Sequence, residues 1–278
     1  FPLAEGGEEK EHVGIAFGGQ GINRSALFVG PKDTDILRST DRKLETMIDW
    51  GWFEIMAKPL FLALNWIDNK LTHNWGWAII VATVIINILL LPLRFSQIKS
   101  SQKMAAIQPE MQAIQGKYKD LSARDPKKQK QNEELMELYK KHGINPMGGC
   151  VPLLLQMPFF IAFFKVLSVA IELRGANWMW VQDLSQPETI PIRLLPVGML
   201  VTQVLMQKMT PVASPDPSQQ KLMMIMMPVM MTVMFYGASS GLVLYWLTGN
   251  VVGIVQQYFF NKYGSKPTLA QASISKKK

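Results

Sequence analysis

The sequence predicts an all-α polytopic membrane protein, with five membrane-spanning helices and a water-exposed helical hairpin after the first. Only 18% of the 278 residues are charged, whereas globular proteins carry about 25%. Runs of 40, 22 and 19 residues at 222–261, 143–164 and 75–93 contain no Asp, Glu, Lys or Arg. Because one spanning helix needs about 20 mostly apolar residues, this distribution excludes an ordinary soluble enzyme.

Residues 1–49 are predicted to form the end of a water-soluble β-domain. β-prone runs at 12–17 and 26–29 flank Gly18-Gly-Gln-Gly21, which is typical of a hairpin turn. A phosphate-binding loop would end in Gly-Lys-Ser/Thr and lead into a helix, so that interpretation is disfavoured. The chain starts at Phe1 without a signal-type segment, and we expect further sequence upstream.

Residues 50–73 predict an amphipathic helix that lies flat on the membrane surface. Apolar side chains recur at spacings of three and four with charged residues between them. Trp50, Trp52 and Trp66 are typical of the boundary between bilayer and water, and Pro59 is expected to bend the helix. The alternative is that the same apolar stripe packs onto the soluble domain.

The first span, 74–93, leads into a charged helical hairpin at 94–143. Pro109 is expected to bend or split its first helix, and Asp125-Pro126 is typical of the start of its second. Apolar stripes predict that the two helices pack together. The stripes consist of Ile107, Met111, Ile114 and Tyr118 on the first helix and Leu135, Leu138 and Tyr139 on the second.

Four further spans complete the predicted topology. In chain order, the remaining segments are a span at 144–171, a connection at 172–193, a span at 194–207, a loop at 208–221, and spans at 222–237 and 241–261. The third span, 194–207, is short, which predicts local bilayer thinning or polar helix ends. The tail 262–278 is basic, and its lysines are Lys262, Lys266, Lys276, Lys277 and Lys278.

The distribution of charge predicts the orientation of the spans. If the hairpin, the 208–221 loop and the tail are cytoplasmic, that side carries 18 basic and 7 acidic residues, a net charge of +11. The remaining segments carry 11 basic and 14 acidic residues, a net charge of −3. Because short cytoplasmic loops are enriched in Lys and Arg, we expect the N-terminal region outside and the tail inside.

Polar residues within the predicted spans are the candidates for a functional site. Thr83, Asn87 and Arg94 lie on one helix face, at spacings of four and seven residues. Such residues either line a wet cavity or form ordinary hydrogen bonds between helices. Arg94 is alternatively an interfacial anchor, and Lys165 either reaches the outer surface or enters the cavity. The other candidates are Gln156, Thr202, Gln203, Thr232, Asn250, Gln256 and Gln257.

The sequence contains no pattern that indicates an enzyme, a metal site or a cofactor site. It has no Ser–His–acid set, no HExxH and no P-loop, and its single Cys150 has no thiol partner. The apolar cores contain no Asp or Glu, which disfavours a proton-coupled transporter. Seven of the 18 methionines lie between Met223 and Met234, either as a surface for varied apolar partners or as ordinary filler.

Several segments resemble the YidC/Oxa-type membrane protein insertases, in the order in which that family carries them. The most specific is Asn145-Pro-Met-Gly-Gly-Cys-Val-Pro-Leu-Leu-Leu-Gln-Met-Pro-Phe-Phe in the second span. The others are Asn74-Trp-Gly-Trp, Leu91-Pro-Leu, Ile107-Gln-Pro, Glu172-Leu-Arg, Asp216-Pro-Ser-Gln-Gln-Lys, Ser240-Gly-Leu-Val-Leu-Tyr-Trp and 250–257. The resemblance covers about residues 50–263, and Phe28-Val-Gly-Pro-Lys resembles the last strand of the periplasmic β-domain of Gram-negative members.

The resemblance implies a core in the bacterial inner membrane with a hydrophilic groove, open to cytoplasm and lipid and closed on the periplasmic side. The implied groove residues are Thr83, Asn87, Arg94, Gln156, Trp246 and Asn250. Newly made membrane proteins would leave along the second and fourth spans, over Met157, Phe159, Phe160, Met227, Met230 and Met231. The implied client-receiving residues of the hairpin are Pro109, Met111, Tyr118 and Tyr139. The resemblance also implies a ribosome contact through the basic tail, the Sec translocon as a partner, and no nucleotide or other cofactor.

Two positions depart from the family pattern. Asn87 stands where the family commonly has a groove arginine, and Trp246 stands where it often has a tyrosine. Our hypothesis is that Arg94, two turns further along the same face, partly takes over the role of that arginine. The rival hypotheses for the whole chain are a channel or transporter for small solutes, which would use the same polar residues, and a purely structural assembly partner.

Overall fold

In a computed structural model of the chain, the described residues are 28–118, 127–144, 151–210 and 217–264. Most of them lie in α-helices, and no β-sheet forms among them. The one β-type pairing within these ranges joins Trp178 and Val181. The all-α prediction is therefore confirmed for the part of the chain that the structure describes.

The helices follow one another with short connections, except at the segment between α7 and α8. Their bounds are α1 Thr34–Thr40, α2 Glu54–Ile67, α3 Trp75–Leu89, α4 Leu91–Ala106, α5 Gln108–Lys117, α6 Lys127–His142, α7 Val151–Val169, α8 Leu194–Met209, α9 Pro217–Tyr236 and α10 Ser240–Tyr263. Helices α3, α7, α8, α9 and α10 occupy the positions of the five predicted spans.

The segment 28–49, predicted as part of a β-domain, contains helical turns instead. Helix α1 is followed by a 3₁₀ helix at Arg42–Met47, and Phe28 and Val29 pair with no strand in the described ranges. A strand needs a neighbour that satisfies its backbone groups. The β-prone run at 12–17 that could provide one lies outside the described residues, as does the rest of 1–27.

Helix α2 has one buried face and one exposed face, as predicted for an amphipathic helix. Ala57, Phe61, Leu64 and Ile67 are buried, chiefly where α2 packs against α7. The helix continues through Pro59, although the missing N–H removes the intrahelical bond to Ile55 O. The exposed apolar residues on and beside it are Trp52, Ile55, Leu62, Trp66 and Leu71.

A sharp bend separates α2 from α3. The segment Gly51–Thr72 ends in a π-helical turn, and it meets α3 at an angle of 115°. His73 has a left-handed backbone conformation, with φ at 49°. The side-chain oxygen of Asn74 then starts α3 by accepting hydrogen bonds from the N–H groups of Gly76 at 3.1 Å and Trp77 at 3.3 Å.

No single helix within the described ranges is both long and apolar enough to cross a bilayer alone. The bent pair Gly51–Thr72 and Trp75–Leu89 meets that requirement when the two are taken together. Three more stretches are apolar but shorter, namely Gln156–Val169, Leu194–Met209 and Leu222–Tyr236.

Helix α10 lies at the centre of the helical core. It packs against α8 and α3, while α9 packs against α8. The ring of Tyr245 on α10 stacks on Phe163 of α7 with the centroids 3.9 Å apart. Ile79 of α3 and Met199 of α8 are fully buried around it. The 40-residue uncharged run is shared by this central helix and by α9, whose apolar side chains are largely exposed.

The hairpin formed by α4, α5 and α6 has a small apolar core of its own. Its first helix breaks at Ile107, two residues before Pro109, as the sequence predicts. The buried core residues are Met104, Ile107, Met111, Leu138 and Ile144, with Ile114, Leu135 and Tyr139 packed around them. The hydroxyl of Tyr118 donates to Glu134 at 2.7 Å, so the predicted stripes do meet.

The connection between α7 and α8, residues 170–193, folds over the ends of the core helices; we call it the cap. The backbone N–H groups of Ser240 and Gly241, at the start of α10, donate to Gln186 O at 2.8 Å and Leu184 O at 2.9 Å. Two of the orphan donors at that helix start are thereby satisfied by backbone carbonyls. The cap is therefore bound to α10 by its main chain.

A buried carboxylate in the cap holds the start of α8. One oxygen of Glu188 accepts the backbone N–H of Leu195 at 2.9 Å, and the other accepts the indole N–H of Trp180.

Glu188→Ala is expected to lower the free energy of unfolding by about 1–2 kcal/mol, because α8 loses its capping acceptor. Thermal unfolding in detergent measures the loss. Glu188→Gln keeps one acceptor and should lose about half as much; equal losses would contradict the capping role.

A second carboxylate, Glu172, links the cap to the N-terminal segment and predicts a pH effect. Its Oε1 accepts hydrogen bonds from the backbone N–H and the hydroxyl of Thr34, both at 3.4 Å. Burial raises the pKa of Glu172 above its ordinary value of 4.5. The folded chain thus binds this proton more tightly than the unfolded chain. The protonated Glu172 therefore contributes fully to the free energy of unfolding below the ordinary pKa, and this contribution is lost as pH rises through the raised pKa.

Glu172→Gln is expected to remove the pH dependence of stability that the Glu172 carboxyl causes. Its melting temperature should match that of the parent at about pH 4, where the parent carboxyl is protonated, and exceed it at about pH 8, because the amide has no charge to desolvate. Melting curves of both proteins across this range measure the difference. A difference that stays constant with pH would contradict the assignment.

Candidate functional site

Four polar side chains from α3, α4 and α10 form a connected set, which we call the polar cluster: Thr83, Asn87, Arg94 and Gln256. Thr83 is fully buried, and the Asn87 amide donates to its backbone carbonyl at 2.8 Å. The Arg94 guanidinium donates to Asn87 Oδ1 at 3.4 Å, and the Gln256 amide donates to Asn87 O at 3.3 Å. Asn87 is thus the member that joins the three helices.

The path of the chain between α3 and α4 explains why Arg94 reaches Asn87. The helical bonding pattern continues through the junction, since Leu90 N–H donates to Ile86 O and Arg94 N–H donates to Leu90 O, both at 3.0 Å. Pro92 lies in the first turn of α4, where its missing N–H costs little. A spacing of seven residues then places the two side chains on one face, as the sequence predicts.

Helix α10 is shaped to receive the guanidinium. A Cβ atom on Gly253 would lie 2.5 Å from Arg94 Nη2 and 3.2 Å from the Met206 side chain. Only glycine therefore lets the Arg94 side chain lie against the α10 backbone without moving. Gln256, one turn further along, has a buried Oε1 with no partner among the described residues.

Asn250, a predicted groove residue, belongs to a second set of hydrogen bonds between α10 and α8. Its amide donates to Gln203 Oε1 at 3.0 Å and to Thr202 Oγ1 at 3.3 Å. Thr202 also donates to Gly198 O at 2.9 Å within its own helix. This set has the form of the ordinary interhelical bonding that was the alternative to a cavity.

Gln156 and Trp246 lie in a third region, where α7 faces α10. The Gln156 amide donates to the hydroxyl of Tyr245 at 3.0 Å. Trp246 packs with Phe160 and Phe235, at centroid distances of 5.4 and 5.1 Å, and its indole N–H is buried without a partner in the described ranges. The tyrosine hydroxyl of this region thus comes from Tyr245, one residue before the position that the sequence comparison singled out.

The six residues predicted to contact departing clients lie on α7 and α9 with different exposures. Phe160 of α7 contacts Phe235 near the end of α9, with centroids 5.9 Å apart. Met157 and Met230 are 44% and 60% exposed, whereas Phe159, Met227 and Met231 are half-buried. The structure thus presents methionine side chains on the outside of both helices.

Lys165 lies apart from the polar cluster. Its Cε and Nζ atoms are 3.3 and 3.4 Å from the point where a Cβ of Gly51 would stand, beside the turn that precedes α2. The structure thus places the half-buried Lys165 beside the turn before α2, and neither predicted placement is decided. No group of three His, Cys, Asp or Glu side chains within the described ranges could hold a metal ion.

Two residues of the site were missed by sequence reasoning. Gly253 gives little signal because a glycine in an apolar helix has many ordinary roles, and Tyr245 because it directly precedes the position where the family often has a tyrosine. The useful signal for Gly253 was its place three residues before Gln256 and three after Asn250, on the polar face of the helix.

Comparison with known proteins decides the family. The family model described as 60Kd inner membrane protein matches residues 66–267, and the YidC periplasmic domain model matches residues 5–63. The chain belongs to the YidC family. Membership confirms the resemblance drawn from the sequence, and members of the family are insertases of the bacterial inner membrane.

Individual relatives of the YidC family agree. Proteins named membrane protein insertase YidC are 45% identical over 248 residues in Syntrophobacter fumaroxidans and 47% identical over 237 residues in Geobacter metallireducens. Each alignment covers 85% of this chain but only 43% and 42% of the relative, so the chain spans less than half the length of these relatives. An active YidC insertase crystal structure aligns with a TM-score of 0.61 and 29% identity, over 83% of this chain and 54% of that one.

Proposed function

We propose that this chain is the membrane-embedded part of an insertase, which draws the polar end of a client into the helical core and releases its apolar segment into lipid. The observation that carries the proposal is the Arg94 guanidinium, held between Asn87 and Gly253 inside a helical core. An arginine at the end of an apolar span that packs against a neighbouring membrane helix is a candidate functional residue. The relatives named membrane protein insertase YidC support insertion as the activity.

The proposed topology places the N-terminal region and the cap outside, and the hairpin and tail inside. The charge asymmetry of the sequence supports it. Helix α2 would lie in the outer interface with Trp52 and Trp66 exposed, as aromatic anchors do. The main-chain bonds between the cap and α10 would close the outer end of the core.

The proposed mechanism uses two sides of the same core. Thr83, Asn87, Arg94 and Asn250 would hydrate and bind the polar end of a client, which lowers the cost of about 3 kcal/mol for each charged residue at the bilayer centre. Gln156 and Trp246 would border the outer end of this groove. The apolar segment would leave between α7 and α9 over Met157 and Met230. Burial of client apolar surface in lipid, at about 25 cal/mol per Å², would drive the step without nucleotide.

The hairpin is proposed as the surface that receives clients, and the tail as the surface that contacts the ribosome. Met111 is fully buried, so its proposed role is to hold α5 on α6, while Pro109 and the rings of Tyr118 and Tyr139 remain accessible to a client. Lys262 begins the basic tail, which would attract anionic ribosomal RNA; Lys266, Lys276, Lys277 and Lys278 lie outside the described residues. The Sec translocon is proposed as a partner on family resemblance alone.

Reconstitution into liposomes tests the proposed function. A short single-span client should become protease-protected in proteoliposomes that contain this chain and no other factor, and a trapped small solute should be retained. Solute flux without insertion would instead establish the rival channel, and neither activity would establish a structural partner.

A further inference from the structure

Helices α4 and α10 border a cleft that the proposed insertion path does not use. The cleft has a volume of about 620 Å³, a size typical of small-ligand sites. It lies beside the first half of α4 and the last turns of α10. The side chains that matter for its chemistry are Phe95, Ser96, Lys99, Phe259, Phe260 and Tyr263.

The cleft is largely aromatic and open on one side. Phe95 lies 5.7 Å from Phe260 across it, and Phe259 stacks on Tyr263 at 6.1 Å between ring centroids. Phe95, Phe259 and Tyr263 are nonetheless 42%, 53% and 71% exposed. Exposed rings at the end of an apolar helix are typical of the level of lipid headgroups.

One ammonium group lines the cleft, and a second belongs to the residue that precedes its lining residue Tyr263. Lys99 lines it, and Lys262 Nζ lies 5.4 Å from the ring centroid of Tyr263 and 5.8 Å from that of Tyr258. Contact with the ring faces of Tyr258 and Tyr263 holds this charge at the end of α10. Helices α4 and α10 contain no Asp or Glu, so no acidic side chain on either helix opposes these charges. Lys262 also offsets the negative end of the α10 dipole.

We propose that this cleft binds an anionic glycerophospholipid of the cytoplasmic leaflet, with the phosphate between Lys99 and Lys262 and the acyl chains along Phe95 and Phe259. The proposal rests on the membrane topology proposed above. Charge complementarity selects this occupant: basic pockets between membrane helices on the cytoplasmic side favour anionic headgroups. The chain's own tail after Gly264 carries four lysines and no acid, so Lys99 and Lys262 would repel it.

Native mass spectrometry of the detergent-purified chain tests the proposal with two lipids that share their acyl chains. Each basic group near an anionic headgroup contributes about fivefold in affinity. Phosphatidylglycerol should therefore bind about 20-fold more tightly than phosphatidylcholine, and Lys99→Gln with Lys262→Gln should bring the ratio to about one. The matched control, Lys140→Gln with Lys141→Gln on the exposed end of α6, removes the same charge and should keep the ratio. Phe259→Ala should weaken both lipids equally.

Three outcomes would overturn the proposal. The first is equal affinity of the parent for both lipids, and the second is an equal loss of preference in the control pair. The third is a tenfold or greater gain in phosphatidylglycerol affinity when the chain ends at Gly264, which would show that the tail fills the cleft. Client insertion by the same preparations is measured separately. A chain that inserts clients but shows no preference between the two lipids overturns the lipid proposal and leaves the proposed function intact. Protease access to the tail in sealed vesicles tests the topology.

Discussion

Arg94→Ala is expected to reduce client insertion by about tenfold, beyond the loss of stability that follows from the broken hydrogen bond to Asn87. A hydrogen bond to a charged group contributes about 1.5–3 kcal/mol, and the guanidinium is the charged member of the polar cluster. Its loss leaves Asn87 Oδ1 without its donor and removes the positive charge that would attract the polar end of a client. Insertion of a single-span client into proteoliposomes, scored by protease protection, measures the effect.

Two further variants test whether the position of the Arg94 charge matters, and not only the number of positive charges on α4. Lys103→Ala removes one exposed basic residue from the same helix and should leave insertion unchanged. Asn87→Arg combined with Arg94→Asn returns the guanidinium to the position that the family commonly uses, and it should restore at least half of the parental insertion. If Arg94→Ala inserts as well as the parent while Asn87→Ala fails, the hypothesis that Arg94 takes over is wrong.

The sequence was sufficient for features that depend on local spacing. The alignment of Thr83, Asn87 and Arg94 follows from the helical period, and the hydrogen bonds bear it out because the helical pattern continues through Leu90. The apolar stripes of the hairpin follow from the same period. The helix break near Pro109 follows from the missing N–H of proline.

Features that depend on which helices become neighbours were beyond the sequence. Gln256 and Asn250 both appeared as polar residues of one span, yet Gln256 joins the polar cluster on α3 whereas Asn250 bonds to α8. That difference arises from the central position of α10, which packs against α3 and α8 at once; Gly253, between the two residues, meets side chains of both α4 and α8. The helical turns at 34–47 were missed for another reason: the β-prone pattern lies upstream of them, and short polar turns carry little periodic signal.

Gly76→Ala is expected to lower the free energy of unfolding by about 1–3 kcal/mol. The Trp178 side chain from the cap lies directly against Gly76, so an added Cβ would overlap its ring carbons and stand 2.6 Å from Trp178 Cβ. Trp178 is buried and packs edge-on against Trp77 at 5.7 Å between centroids. Because neither the ring nor its backbone can move aside cheaply, the cap would be displaced from α3. Thermal unfolding in detergent measures the loss.

Gly249→Ala is the matched control, and it should change stability in the opposite direction. Gly249 lies inside α10, and an added Cβ would meet nothing within 4 Å. Alanine there should stabilise the helix by about 0.5–1 kcal/mol, because glycine loses more backbone entropy on folding. If both substitutions stabilise, the contact between Trp178 and Gly76 is not a constraint on the fold. If Gly76→Ala destabilises and also makes proteoliposomes leak a trapped solute, while Gly249→Ala does neither, then the cap is the seal at the outer end of the core.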